Sequence, residues 1–302
     1  MRVVTLFPAA TEIVAALGAA DTLVGVSHEC DYPPSVTALP RVTTTPVDPT
    51  QPSGAIDHAV RTLRAAGRPV VAVDAALLRR LAPDLVITQG LCDVCAVEAG
   101  AVHRIAPGGP PRILALEAHD LAGVWADIRA VARALGRAEA GDALVASLEH
   151  RLTALEASWA ARRSQAAGVA RVVCIEWLDP PYLAGHWVPE LVRYAGGEDV
   201  GAEPGSRSLR RSWREIRAAR PHLVLVMLCG MSVARAEQEM RAVADPEALA
   251  LFEGTPTWIL DGGSYTSRPG PRLVDGAERI RCAIEGREVP GLRRWVRSVP
   301  AA

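Results

Sequence analysis

The chain has 302 residues, which at about 150 residues per domain points to two domains or one large one. Its apolar share of 49% and charged share of 22% are those of a globular protein, so a disordered or fibrous chain is excluded. Thirty-three basic and 34 acidic residues leave a net charge of −1, and no global field favours nucleic acid or an acidic membrane. Every basic residue is Arg, which removes lysine Schiff-base chemistry and the lysine-dependent P-loop.

In chain order, unbroken apolar runs predict strands at 3–7, 23–26, 70–73, 85–88 and 113–116. A second set is predicted at 172–176, 223–228 and 258–260. Runs without polar alternation are those of strands covered on both faces, and their alternation with helical patterns predicts parallel α/β layers. Between about Leu121 and Arg163 there is neither Pro nor strand signal. Gly136 and Gly141 are expected to divide this stretch into a short helix and a longer one, whose apolar stripe is Leu144, Leu148, Leu152, Leu155 and Trp159. From Asp142 to Arg163 the longer helix would span roughly 33 Å, enough to bridge two lobes. A faint repeat agrees with that division: Leu81-Ala-Pro-Asp-Leu-Val-Ile-Thr88 matches Ala219-Arg-Pro-His-Leu-Val-Leu-Val226. The expected architecture is therefore two Rossmann-like α/β lobes, residues 1–118 and 167–302, joined by a backbone helix within 119–166, with a ligand cleft between the lobes.

The unusual residues fall where predicted strands end, which is where parallel sheets bind ligands. They make His28, Cys30, Tyr32, Gln89, Cys92, Glu176, Asp179, His186, Trp187, Cys229, Tyr265 and Arg268 the candidate ligand contacts. His28, Cys30, Cys92, Cys95 and Cys229 also form an alternative metal set, suited to zinc, copper(I) or an iron–sulfur cluster. Cys174 and Cys282 read as core residues. Glu176, Asp179 and Asp261 are acids of the same rim, but no paired spacing implies acid–base catalysis, and a non-enzymatic protein is expected. The arginines at 207, 210, 211, 214, 217 and 220 read as a solvated helical face or as a docking surface for an acidic partner. The segment Met1–Pro8 carries no signal-peptide pattern, no run approaches a membrane span, and the expected compartment is the cytoplasm, with reduced thiols.

Leu6-Phe-Pro-Ala-Ala-Thr-Glu12, Gly25-Val-Ser-His-Glu-Cys-Asp-Tyr-Pro-Pro34, Pro83-Asp-Leu-Val-Ile87, Pro180-Pro181, Ala195-Gly-Gly-Glu198 and Pro271-Arg272 occur in order along nearly the whole chain. Together they resemble the substrate-binding proteins of vitamin B12 and iron–siderophore ABC importers, nearest to the B12-binding branch. The resemblance implies a corrinoid (cobalamin) held between two lobes by aromatic contacts. Tyr32, in the Asp-Tyr-Pro-Pro motif, would touch the ring; Trp187 and Tyr265 would contact it by loop position. The importer-docking glutamates of that family are not clearly reproduced, with Ser53–Asp57 near one such position and Glu215 offset from the other, so an importer partner is left open. Gly54–Val73 reads as an insertion, and the thiols at 30, 92, 95 and 229 lie outside the transporter pattern, which suggests a cytoplasmic cobalamin-binding branch.

Overall fold

The repeat noticed in the sequence is a structural junction, built twice. In a computed structural model describing residues 1–90, 111–163 and 168–297, helix Ala75–Leu81 (α3) and helix Trp213–Ala218 (α7) each stop just before the repeated proline. The residue immediately before the proline is left-handed in both places, Ala82 at φ 41° and Arg220 at φ 48°. An arginine at the neighbouring strand's start then closes each junction. Arg2 Nε donates to the Leu81 carbonyl at 2.8 Å, as Arg171 Nη2 does to Ala219 at 2.8 Å. The backbone N–H of Arg2 donates to Asp84 Oδ2 at 2.6 Å, and that of Arg171 to His222 Nδ1 at 3.3 Å. The amides of Asp84 and His222 return the bond to the carbonyls of Arg2 and Arg171, both at 2.8 Å. Helix-end carbonyls that lack partners inside the helix are thus satisfied by the adjoining strand.

Each junction opens a sheet. The chain divides into a unit of residues 1–51, 55–147 and 269–271 and a unit of residues 52–54, 148–268 and 272–302. In the first, strands Val3–Thr5 (β1), Leu23–Gly25 (β2), Leu85–Gln89 (β5) and Arg112–Leu116 (β6) form a parallel sheet in the order β2-β1-β5-β6. Val3, Val4, Val86 and Ile87 are wholly buried in it, each side chain adding about 1.5–3 kcal/mol of hydrophobic stabilisation. Helix Pro8–Ala16 (α1) starts with proline, whose missing N–H costs nothing at that position, and buries Ile13 and Val14. Asp120 caps helix Leu121–Ala134 (α4) by accepting from Gly123 N at 2.7 Å. A ribbon of Thr43–Thr44 (β3) and Ala72–Val73 (β4) lies outside the main sheet. Helix Ser53–Ala65 (α2) precedes β4.

The second unit has a mixed seven-stranded sheet. Its parallel centre is Ala170–Leu178 (β7), Leu223–Val226 (β11) and Thr257–Leu260 (β12), with Gly197–Asp199 (β9) parallel to the start of β7. Pro181–Leu183 (β8), Leu209–Arg210 (β10) and Leu292–Trp295 (β13) are antiparallel and flank that centre. The apolar runs identified β1, β2, β5, β6, β7, β11 and β12, while the run at 70–73 supplies β4 of the antiparallel ribbon; the parallel β9 and the flanking strands are too short or too polar to register as such runs. Helices Val188–Tyr194 (α6), Val233–Ala242 (α8), Pro246–Gly254 (α9), Gly262–Tyr265 (α10) and Leu273–Ile284 (α11) complete the unit.

The long helix is Ala138–Arg163 (α5), and Gly141 does not break it. The helix boundary lies at Gly136 instead, where φ is +70°. Gly141 has another reason to lack a side chain: a Cβ there would collide with the methyl group of Ala132 on α4. Residues of α5 up to Ser147 count with the first unit, and those from Leu148 with the second. In the second unit Gly196, at φ +90°, packs flat against the Trp159 ring, with no room for a Cβ. Arg281, 4% exposed, lies 4.8 Å from that ring and is satisfied by the Ala195 carbonyl and Glu285. Among the described residues no helix is long and apolar enough to cross a membrane.

Candidate functional site

In the first unit the rim at the carboxyl ends of the strands is built around the loop that follows β2. Three main-chain carbonyls of this loop converge on one guanidinium: Arg41 donates to Ser27 O at 3.0 Å, Cys30 O at 2.6 Å and Thr37 O at 3.3 Å. Val26 and Val42 fix the loop's base through Val26 N to Pro40 O at 3.0 Å and Val42 N to Val26 O at 2.9 Å. On this frame stand His28, Cys30 and Tyr32. His28 is half-buried, and its backbone N–H and ring Nδ1 both meet Thr43 Oγ1, at 2.9 and 2.7 Å. Cys30 is 1% exposed, and its Sγ lies 3.0 Å from Thr11 Oγ1, which in turn lies 2.6 Å from Thr5 Oγ1. That thiol ends a buried hydroxyl chain under the rim. Tyr32 differs from both: at 45% exposure it is, among the described residues, one of three large hydrophobic side chains left open to solvent. Gln89, half-buried, closes β5 on the same sheet. Cys92 and Cys95 lie outside the described residues.

The second unit spends its rim residues differently. Trp187 is 5% exposed, and its indole N–H donates to Thr266 O at 2.8 Å. Tyr265 is half-buried under Arg279, whose guanidinium sits 3.7 Å from the ring centroid and donates to the phenol oxygen at 3.0 Å. Asp261 caps the short helix α10 by accepting from Ser264 N at 2.8 Å. Glu176 and Cys229 are neighbours across β7 and β11, with Cys229 N donating to the Glu176 carbonyl at 3.0 Å. Cys229 itself is exposed, as is Asp179, which abuts Gly54. His186 holds a left-handed φ of 55°, with its amide on Ser206 O at 2.6 Å, and its ring stacks beside Trp187 at 5.5 Å. Arg268 is half-buried.

The structure therefore gathers His28, Cys30 and Tyr32 on one loop of the first unit and brings Glu176 beside Cys229 in the second. Among the described residues no group of three or more His, Cys, Asp or Glu side chains is placed to hold a metal ion. Cys30 is engaged with Thr11, and Cys229 counts with the other unit. Sequence reading missed Thr43 and Arg41, because neither a threonine nor an arginine in a polar loop stands out before its partners are known.

Among the described residues two carboxyls are raised to near neutrality. Burial pushes Asp199 up to about 7 against the amides of Gly201 and Ala202, and it pushes the neighbouring Cys174 thiol well above its ordinary value. Burial likewise raises Asp127 on α4 to about 6, against the amides of Ala118 and Glu117. Asp199 borders a surface cavity of about 550 Å³ shared with Glu156, Trp159 and Arg193. It pairs with Val172 near the start of β7, so this cavity is not at the carboxyl-end rim. Glu215 is held below the usual carboxylate range by the amide and hydroxyl of Ser212, in a capping box that starts α7.

The family model for periplasmic binding proteins matches residues 3–250. The chain belongs to the periplasmic binding protein family. Members of this family bind solutes and do not catalyse reactions, which agrees with the absence of paired acid–base spacing. Solved structures share the fold of this periplasmic binding protein over nearly their whole lengths. A periplasmic heme-binding protein from Pseudomonas aeruginosa is 20% identical, with a TM-score of 0.74 and 99% of each chain covered. The periplasmic vitamin B12-binding protein of Vibrio cholerae is 21% identical, with a TM-score of 0.64, 94% of this chain and 96% of the other covered. An ABC-type Fe3+-hydroxamate transport protein from Saccharomonospora viridis is 18% identical, with a TM-score of 0.65 and coverages of 94% and 92%. No functionally curated protein matches the chain.

Proposed function

We propose that the protein is a solute-binding component of the ABC-importer type whose cargo is a corrinoid, cobalamin or a close relative. The observation that carries this reading is the loop Asp31-Tyr-Pro-Pro34: it lies beyond the carboxyl end of β2, is anchored by Arg41, and exposes Tyr32. An aromatic ring left open on a rigid loop is suited to a flat, largely apolar macrocycle, where burial contributes about 25 cal/mol per Å² removed from water. The chain's likeness to the B12-binding branch runs through the same motif. Gln89, Glu176, Asp179, His186, Cys229 and Arg268 remain proposed contacts, while Trp187 and Tyr265, expected as contacts from their loops, are proposed to act through the loops they pin.

The same fold carries heme in the Pseudomonas aeruginosa protein, so haemin is the necessary competitor. Absorbance titration with hydroxocobalamin should give saturable binding with a shifted spectrum, and Tyr32→Ala should weaken it while leaving the fold intact. A flat hydroxocobalamin titration beside a saturable haemin titration would replace corrinoid by haem as the cargo.

A further inference from the structure

We infer that His28 serves the cargo as a hydrogen-bond donor and not as a ligand to its metal, because Thr43 fixes the imidazole as the tautomer protonated on Nε2. The inference rests on the proposed function for the identity of the cargo, but the tautomer itself does not.

The reasoning is a count of protons at one oxygen. Thr43 Oγ1 is wholly buried and accepts the backbone N–H of His28 at 2.9 Å. Among the described residues its only other partner is His28 Nδ1, at 2.7 Å. A hydroxyl has one proton to give. If that proton goes to Nδ1, every polar group at the contact is satisfied, and the ring's own proton resides on Nε2. In the opposite tautomer Nδ1–H would donate to Oγ1, and the threonine proton would be buried without an acceptor among the described residues. A buried donor without a partner is the costlier arrangement.

That choice decides what the ring offers. A histidine that ligates through Nε2 keeps its proton on Nδ1 and donates it to a carboxylate, a carbonyl or water. Thr43 supplies the reverse. Among the described residues, Nε2 makes no hydrogen bond within the protein, and no neighbouring group completes a metal-binding cluster. The loop is held by Arg41, so the ring is presented in a fixed place. What it presents is an N–H, which matches a carbonyl-type oxygen on the rim of a macrocycle: an amide of a corrinoid or a carboxylate of haem. His28 thus reads the periphery of the cargo, while Tyr32 on the same loop reads its face.

Nitrogen-15 NMR of the cargo-free protein at alkaline pH tests the tautomer without reference to any cargo. A pyridine-type shift at Nδ1 and a pyrrole-type shift at Nε2 are expected. Thr43→Val should average the two, and Thr43→Ser should restore them. Reversed shifts in the wild type would overturn the inference. The donor role is tested by titrating wild type and His28→Ala with hydroxocobalamin, which has an exchangeable axial position, and with dicyanocobinamide, whose axial positions are both filled by cyanide. Loss of one hydrogen bond predicts weakening of both by the same factor, about tenfold. A loss confined to hydroxocobalamin, with an imidazole-ligated spectrum in the wild type, would overturn it. Wild-type protein that binds neither corrinoid nor haemin overturns the proposed function and the donor role with it, while the nitrogen shifts still report the tautomer.

Discussion

At the amino ends of their strands the two units are built alike. Arg2, Leu81 and Asp84 repeat the bonds of Arg171, Ala219 and His222, down to the left-handed residue before each proline. At the carboxyl ends they diverge. The first unit anchors its rim through a main-chain frame, with Arg41 drawing in three carbonyls; on that frame Tyr32 stands 45% exposed, and among the described residues the outer nitrogen of His28 makes no hydrogen bond. The second unit uses its rim side chains as fasteners: Trp187 on Thr266, Tyr265 under Arg279, Asp261 on its own helix. The same sheet plan thus yields one rim that can read a cargo by side chain and another whose aromatic residues chiefly hold loops in place.

The contrast is most exposed at Trp187. Trp187→Ala should destabilise the protein by about 3–5 kcal/mol in chemical denaturation, since it empties a buried indole site and orphans the Thr266 carbonyl. If the loss were under about 1 kcal/mol while cargo binding vanished, Trp187 would be reading cargo directly and not fastening its loop, and the contrast would fail.

The buried carboxyls give the next effect. With a folded-state value near 7 against an ordinary 3.8, Asp199 keeps its proton in the native state over a range where the unfolded chain has released it. Stability therefore falls as pH rises through that window, by up to about 4 kcal/mol for the full shift. Asp199→Asn should flatten that part of the profile and raise stability at pH 8; an unchanged slope would mean the carboxyl is not buried in solution. Asp127, raised to about 6 in the first unit, should contribute a shallower slope of the same sign.

Below these come the twin junctions. Asp84→Ala should cost about 1 kcal/mol and His222→Ala less, because a carboxylate accepts the strand amide more strongly than a neutral imidazole does. Equal losses would say that charge adds nothing there. The smallest expected change in stability, within about 0.5 kcal/mol, is that of Tyr32→Ala, an exposed ring outside the core, even though cargo affinity should drop clearly.

The central parallel strands were legible because burial on both faces leaves nothing but Val, Leu and Ile in a run, as at Leu85–Ile87 and Leu223–Val226, whereas the parallel Gly197–Asp199 has no such residue. The flanking antiparallel strands were not: Leu292–Trp295 contains two arginines and Leu209–Arg210 is only two residues long. Gly141 misled in the opposite sense, since a glycine demanded by helix–helix contact has the same appearance in sequence as a helix breaker. The rim was readable as a cluster of unusual side chains, but which of them the fold consumes was not. Trp187 and Tyr32 look equally available until the Thr266 carbonyl and the Arg41 frame are in place. Thr43 carried no signal at all, and its meaning comes only from the two bonds it makes to one histidine.

Equilibrium dialysis of the purified protein against hydroxocobalamin tests the central claim most directly. The account predicts saturable retention approaching one corrinoid per chain, reduced in the Tyr32→Ala variant. Retention no greater than that of buffer alone would contradict it.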